Sequence, residues 1–428
     1  PLKYRFNKGN VTLPISDLKD KIQLSASTAF FKSSDIGSVR FDEKMKPSFE
    51  DAKFVIDYLL SNKNKYASFV SNISYYYRKR ADGSSTLDGA WFNTNLFTRV
   101  LEEGCLKILN DAEKTFGYIP EYIQRTALYH LYWYFGRIIN NESNLSHLTN
   151  EEKEKFKSLV FAIFKRIDNL VIEAFNLGGA WFFHKVGFLG LFKKSEPTNQ
   201  IVYIEKYDIH KDQMLVSFFS TSDCFEEYLL NNKECLPKYK KIVNYHFLDS
   251  IFTKEYRAWI PCNEDIKLQV KINNKLAKLS FLGKHHNELN CSTVKNYFVK
   301  HSTKVTQDWI FIDRNNQADD NAEHLYRYVM KNNPSQSIYF ALNRDSHDWE
   351  RLEKEGFNLL EFGSKKFEDI LRKCEKIISS HIDGYITHYF KDNSLMDKDY
   401  VFLQHGITKD DLSSWLNTKK NMSLFVTA

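Results

Sequence analysis

Cysteine is scarce and scattered: Cys105, Cys224, Cys235, Cys262, Cys291 and Cys374 show no C-x-x-C pairing. That spacing argues against a disulfide framework or a zinc site and for reduced, structural thiols of a cytosolic protein. Long apolar runs are also missing. A membrane-spanning helix needs about 18 to 20 such residues, and the nearest stretch, AWFFHKVGFLGLF at 180–192, is shorter and is interrupted by His184 and Lys185. No signal-peptide pattern opens the chain. Charge of one sign is not concentrated either. The 60 basic and 54 acidic residues leave a net charge of +6 without a basic block, which argues against sequence-specific nucleic-acid binding. Internal repeats and low-complexity tracts are absent. No G-x-G-x-x-G loop follows any predicted strand, which disfavours a sugar-nucleotide enzyme built on that phosphate cradle.

What is present describes a folded chain with a large core. Hydrophobic residues make up 43% and charged residues 27% of 428 positions, and this length predicts about two to four packed units. Aromatic residues, at 15%, are mostly core material. Four regions separate by pattern. Residues 1–110 mix short strands with SFEDAKFVIDYLL, an amphipathic helix for which Ser48 is the candidate N-cap. Residues 111–195 are helical, with Thr149 or Asn150 capping the run NEEKEKFKSLVFAIFKRIDNLVIEAFN, and pack as a hairpin or small bundle. Residues 200–290 change to period two, as in QIVYIEKYDI and IKLQVKINN, and predict a small antiparallel β domain. From 305 to 428, strands such as DWIFID, SIYFALN, KIISS and DYVFLQ alternate with helices, the signature of a doubly wound parallel sheet.

In such a sheet, ligands bind beyond the carboxyl ends of the strands. His405 sits at one such end, in VFLQHGITKDD. Gly406 permits a tight turn, and Thr408 is placed to cap the following helix. A neutral imidazole is suited to proton transfer near neutral pH; a single His-Gly pair is equally compatible with a turn whose ring only fills space.

VFLQHGITKDDLSSWLN and LFVTA, with DWIFIDRNNQADDNAEHLYRYV upstream, resemble the first half of the CDP-glycerol glycerophosphotransferases, the GT-B-type polymerases of teichoic acids and capsules. The resemblance covers about 305–428 and implies that His405 is the catalytic base that deprotonates the acceptor hydroxyl. The family's second half, with another essential histidine and most CDP-binding residues, has no counterpart here. WFFHKVGFLGLFKK and EYRAWIPC are similar to segments that precede this domain in long capsule polymerases. RFDEKMKPSFEDAKFVIDYLL resembles the acceptor half of family-2, GT-A-type glycosyltransferases. That likeness implies Asp51 as general base, supported by Glu50; the bland reading is first-turn acids that complement a helix dipole.

Other residues complete the expected sites. Arg78, Lys79 and Arg80, beside a polar turn, are suited to a diphosphate leaving group. Asp313 and Arg314, at a strand end, are candidates to line the acceptor cleft, as Gly406 is. Asp319 and Asp320 read as a helix cap and a first-turn acid. His381 lies at another carboxyl edge and is placed to reach the cleft of His405, whereas His388 reads as helical surface. His285 and His286 lack a third ligand at metal-like spacing, so no metal site is expected.

The expected fold class is therefore multidomain α/β: a partial GT-A domain, a helical region, a small antiparallel β domain and the first Rossmann-like half of a GT-B domain. The expected function is assembly of a bacterial cell-surface polymer from nucleotide-sugar and CDP-alditol donors onto a growing polymer acceptor. No cofactor is expected within the chain, a divalent metal belonging to the GT-A half that has no counterpart here. The chain reads as an internal piece of a longer protein, cut at both ends. The setting implied is cytoplasmic and peripheral, with AWFFHKVGFLGLFKK resting on an anionic membrane, and without nucleic acid. The alternative from another class is a non-catalytic scaffold that docks polymer through degenerate transferase halves.

Overall fold

The computed structural model describes residues 2–76, 89–208, 211–262, 266–301, 306–392, 394–395, 398–406, 411–419 and 422–427. They form two compact units, one of Pro1–Ile204, Val216–Trp259 and Gln269–Glu288, the other of Glu205–Leu215, Ile260–Leu268 and Leu289–Ala428.

In the first unit, helix α1 (Glu50–Ser61) buries Ala52, Val55, Ile56, Leu59 and Leu60 along one face, as their spacing requires. Its cap differs from expectation. Phe49 takes the N-cap position at φ 77°, without a side-chain hydrogen bond, while Ser48 Oγ is buried without a partner. Burial of the Phe49 ring, only 8% exposed, outweighs capping here. Helices α2 (Lys107–Phe116), α3 (Glu121–Ile138) and α4 (Asn150–Lys165) follow. Thr149 caps α4 in a reciprocal box: Glu152 N donates to Thr149 Oγ1 at 3.2 Å, and Thr149 N to Glu152 Oε2 at 2.8 Å. The helical run then breaks before resuming at Asn169–Ala174. Asp168 is the cause, because Gln124 donates to its carboxylate at 2.7 Å and accepts from its N–H at 2.7 Å.

One core cluster extends from Ile15 to Leu191 and takes in Phe219, Phe247 and Phe252. The division expected at residue 110 therefore coincides with no break in packing. The same cluster takes in most of the apolar residues of 180–192. Phe183, Val186, Phe188, Leu189 and Leu191 are buried. Lys193 Nζ donates to the Phe164 carbonyl at 3.1 Å, and Lys185 Nζ to the Glu173 carbonyl at 2.6 Å. Most of the apolar face and both of these cations are thus engaged within the fold, while Trp181 remains exposed. Among the described residues, no helix is long and apolar enough to cross a membrane.

Strands β1 (Ile201–Asp208), β2 (Gln213–Ser220), β3 (Tyr239–Phe247), β4 (Ser250–Pro261), β5 (Lys278–Phe281) and β6 (Lys284–His286) form a sheet of order β6-β5-β1-β2-β4-β3. The region is not purely the small antiparallel β domain that period two suggested, and it contains two sheets. β5 runs parallel to β1, with Lys278 opposite Ile201, and Glu226–Leu230, Lys233–Cys235, Lys267–Ile272 and Lys275–Leu276 belong to a second sheet. Alternation reports which face is buried, not strand direction.

The second unit carries a parallel sheet of β7 (Trp309–Ile312), β8 (Ile338–Leu342), β9 (Leu359–Glu361), β10 (Lys376–Ser379), β11 (Asp399–Leu403) and β12 (Met422–Val426), in the order β9-β8-β7-β10-β11-β12. Helices α5 (Asn321–Asn332), α6 (Trp349–Lys354) and α7 (Lys365–Lys373) link its strands. Ile310 and Ile312 enter one core cluster with Phe367 and Tyr400, while Phe311 enters another with Tyr326 and Phe340. Both faces of the sheet are thus covered, as a parallel sheet demands. The chain steps outward from β7 through β8 to β9, then returns to place β10 on the other side of β7. That reversal opens a crevice at the carboxyl ends of β7 and β10.

Candidate active site

Three strand ends and one helix start converge at this crevice. Asp313 follows β7, Ser380 and His381 follow β10, and His405 follows β11, while Asp320 is the N-cap of α5. Gly406 takes a left-handed φ of 61°, which a glycine adopts without the steric cost of a side chain.

Asp313 holds the arrangement together from inside. It is 1% exposed. Its carboxylate accepts from the N–H groups of Asp320 at 3.1 Å, Ala322 at 2.9 Å and Glu323 at 3.2 Å, and from Ser380 Oγ at 2.5 Å. Burial raises its pKa to about 6, against the opposing pull of those donors. The side chain thus ties β7 and β10 to the N-terminus of α5, and it is enclosed rather than presented to an acceptor. Tyr385 OH donates to the Asp313 carbonyl at 2.6 Å, and Tyr400 OH to the His381 carbonyl at 2.6 Å.

Asp320 faces the other way. One carboxylate oxygen accepts from Asn321 N at 2.8 Å, the capping bond of α5. The other meets Nδ1 of His405, whose side chain is half exposed. Asn321 Nδ2 donates to the Gln404 carbonyl, pinning the helix start to the strand end. With Nδ1–H donated to Asp320, the His405 Nε2 carries the lone pair and can accept a proton.

His381 stands beside this pair. Its ring lies 4.7 Å from that of His405, centroid to centroid, and its Nε2 lies 3.6 Å from the same Asp320 oxygen. Burial, followed by the charges of Arg314 and His405, lowers its pKa. Arg314 is exposed and has no ion-pair partner among the described residues. The group of Asp320, His381 and His405 is the one constellation among the described residues in which three ligand-type atoms approach closely enough to consider a metal ion.

Glu50 and Asp51 lie in the first unit, in the opening turn of α1. Asp51 Oδ2 accepts from Ala26 N at 3.1 Å. Burial, and then the charge of Asp51, raises the pKa of Glu50. The ring of neighbouring Phe49 packs 4.8 Å from His130, whose pKa burial lowers to about 4. Arg78, Lys79, Arg80 and Thr408 lie outside the described residues. His388 is exposed at the end of the short helix Gly384–Thr387, its Nδ1 2.9 Å from Thr387 Oγ1.

The role of Asp320 toward His405 was not apparent in the sequence, where it reads only as a cap or first-turn acid. The available signal is topological: a capping acid after a first strand and a histidine after a later one share the carboxyl edge of a parallel sheet. Ser380 carries no signal of its own.

No family model and no solved structure matches the chain. Two curated proteins of Bacillus subtilis (strain 168) do. Minor teichoic acid biosynthesis protein GgaB is 25% identical over 515 aligned positions, which cover 94% of this chain and 55% of GgaB. Minor teichoic acid biosynthesis protein GgaA is 32% identical over 131 positions, covering 30% of this chain and 29% of GgaA. The chain thus spans about half the length of GgaB and less than a third of GgaA. The chain is thus distantly similar to teichoic acid biosynthesis proteins, and the similarity to GgaB extends over 94% of the chain.

Proposed function

We propose that the chain works in a transferase that assembles a teichoic-acid-like cell-surface polymer, and that the second unit carries the acceptor side of a phosphodiester-forming site. The observation that carries this reading is the contact between Asp320 and His405 Nδ1 at the carboxyl edge of the sheet. His405 Nε2 takes the proton from a hydroxyl of the growing chain. The resulting alkoxide attacks the β-phosphorus of a CDP-linked alditol donor; the new P–O bond forms as the bond to CMP breaks. Arg314 attracts phosphate charge to the crevice mouth. A positioned general base of this kind accelerates proton transfer about 10²–10⁴-fold.

The first unit is assigned sugar transfer from a nucleotide-sugar donor, with Asp51 as base and Glu50 beside it. The similarity to GgaB supports a polymer-assembly role, and the resemblance of the α1 segment to family-2 transferases supports this division of labour. The test uses the full-length protein with labelled CDP-glycerol and nucleotide sugar. His405→Ala is expected to stop phosphodiester formation while sugar transfer continues. Unchanged polymer synthesis by that variant rejects the base assignment, and glycan binding without transfer in the unmodified protein supports a docking protein instead.

A further inference from the structure

Asp320, His381 and His405 each offer one ligand atom, and all three atoms lie within 4.8 Å of one another. The His381 Nε2 is buried and has no hydrogen-bond partner, yet it faces an oxygen of Asp320 at 3.6 Å. The other ring nitrogen faces Asp383 Oδ2 at 3.7 Å. A single proton shared by His405 and Asp320 satisfies that pair and leaves His381 unmatched. Each ring nitrogen of His381 faces a carboxylate oxygen, and a neutral imidazole carries one proton, so one nitrogen aims a lone pair at a carboxylate; a cation between Nε2 and Asp320 resolves this with the proton on Nδ1 facing Asp383, and one cation can serve all three atoms.

We propose that Asp320, His381 and His405 form a transition-metal site of the zinc class, and that metal binding and the base role of His405 exclude each other. Two imidazoles and a carboxylate suit Zn²⁺ and its neighbours, whereas Mg²⁺ and Ca²⁺ favour all-oxygen sets. Tetrahedral bonds near 2.0–2.1 Å place ligand atoms about 3.3 Å apart. The His381–Asp320 separation is already close to that value, and half-exposed His405 has room to adjust. Three protein ligands leave a fourth position for water.

Exclusion follows from the tautomer. With Nδ1–H donated to Asp320, Nε2 carries the lone pair needed to deprotonate an acceptor. With a metal on Nδ1, the neutral ring must carry its proton on Nε2 and can no longer accept one. The binding claim stands on the cluster alone; the exclusion claim rests on the proposed function.

The experiment titrates Co²⁺ into the metal-free, full-length protein and reads the visible absorption of tetrahedral cobalt, a measurement that needs no enzymatic activity. One equivalent of the strongly absorbing tetrahedral species is expected, separate from any cobalt held by oxygen ligands in a GT-A half, which favours octahedral geometry. Loss of a direct ligand in His381→Ala or His405→Ala should raise the Kd about 100-fold or more, since loss of outer-shell partners alone costs about 10–100-fold. Two variants guard against a folding defect in one of them. Absence of the absorption, or unchanged binding in both variants, overturns the site. Zn²⁺ is then added to the phosphodiester assay. Inhibition of the unmodified protein at stoichiometric Zn²⁺, with His381→Ala unaffected relative to its own zinc-free rate, supports exclusion. Stimulation, or no effect at saturating Zn²⁺, overturns it. A protein that binds Co²⁺ as expected but transfers nothing without metal rejects the proposed function, and with it the exclusion claim, while sustaining the metal site.

Discussion

Asp320 and His405 stand 85 positions apart in the chain, yet a carboxylate oxygen of Asp320 meets Nδ1 of His405 while the other oxygen caps helix α5. One side chain thus starts a helix and orients an imidazole. The first role fixes the geometry of the second: the cap bond and the three N–H donors that hold Asp313 immobilise the loop from which Asp320 projects.

Separating the two roles tests the assignment. Serine caps a helix about as well as aspartate but offers no carboxylate to a histidine. Asp320→Ser is therefore expected to leave the urea midpoint nearly unchanged while lowering phosphodiester formation by about 10² or more. Full activity in a folded Asp320→Ser protein would show that His405 needs no orienting partner.

Asp313 is expected to matter for stability rather than for contact with substrate. Asp313→Ala leaves the N–H groups of Asp320 and Glu323 and the Ser380 hydroxyl without this acceptor, while the Ala322 N–H keeps Ser380 Oγ at 2.8 Å. Each orphaned group costs roughly 1–3 kcal/mol, so a loss of about 3 kcal/mol or more is expected in chemical denaturation. Ser380→Ala removes one partner and should cost about 1 kcal/mol. Equal effects of the two substitutions would contradict this division.

The sequence and the structure agree where the physics is local. Ile310, Phe311 and Ile312 alternate between two core clusters, and the placing of His381 near His405 follows from strand ends alone. Disagreements arise where a distant group decides. Gln124 interrupts a helix that its own period would continue. Core burial of Phe49 displaces Ser48 as the cap. The parallel pairing of β5 with β1 depends on strands about 75 residues apart, beyond the reach of any local pattern. The partnership of Asp320 with His405 belongs to this second group.

His381 gives the pH dependence a sign. Its pKa in the folded protein lies below the ordinary 6.5, with burial the largest cause. As pH falls below 6.5, the unfolded chain takes up a proton that the folded protein refuses. Its contribution is therefore fully present above 6.5 and is lost as pH drops toward the folded value. Asp313 acts in the opposite sense, because the folded protein keeps its proton up to about 6 against 3.8 when unfolded. The difference in stability between the unmodified protein and His381→Gln isolates the histidine. That difference is expected to shrink from about pH 7.5 to 5 in urea titrations; a constant difference would place His381 in water rather than in the crevice.

Gly187 tests the packing of the first unit, and there two physical effects oppose each other. Its backbone is ordinary helix, φ −62° and ψ −45°, so propensity alone favours alanine by about 1 kcal/mol. A Cβ at this position, however, would lie 2.2–2.6 Å from ring atoms of Phe252. Phe252 cannot retreat, because it is fully buried against Phe135, Phe183 and Phe188. Overpacking of this kind costs about 1–3 kcal/mol or more, which exceeds the propensity gain. Gly187→Ala is therefore expected to lower stability by about 2 kcal/mol. Shortening the obstacle in Phe252→Leu should cost stability by itself and yet make room for the methyl group. The double variant should then be more stable than the sum of the two losses predicts, by about 1 kcal/mol. Simple additivity would mean that Gly187 and Phe252 do not meet, and that the glycine is needed for some other reason.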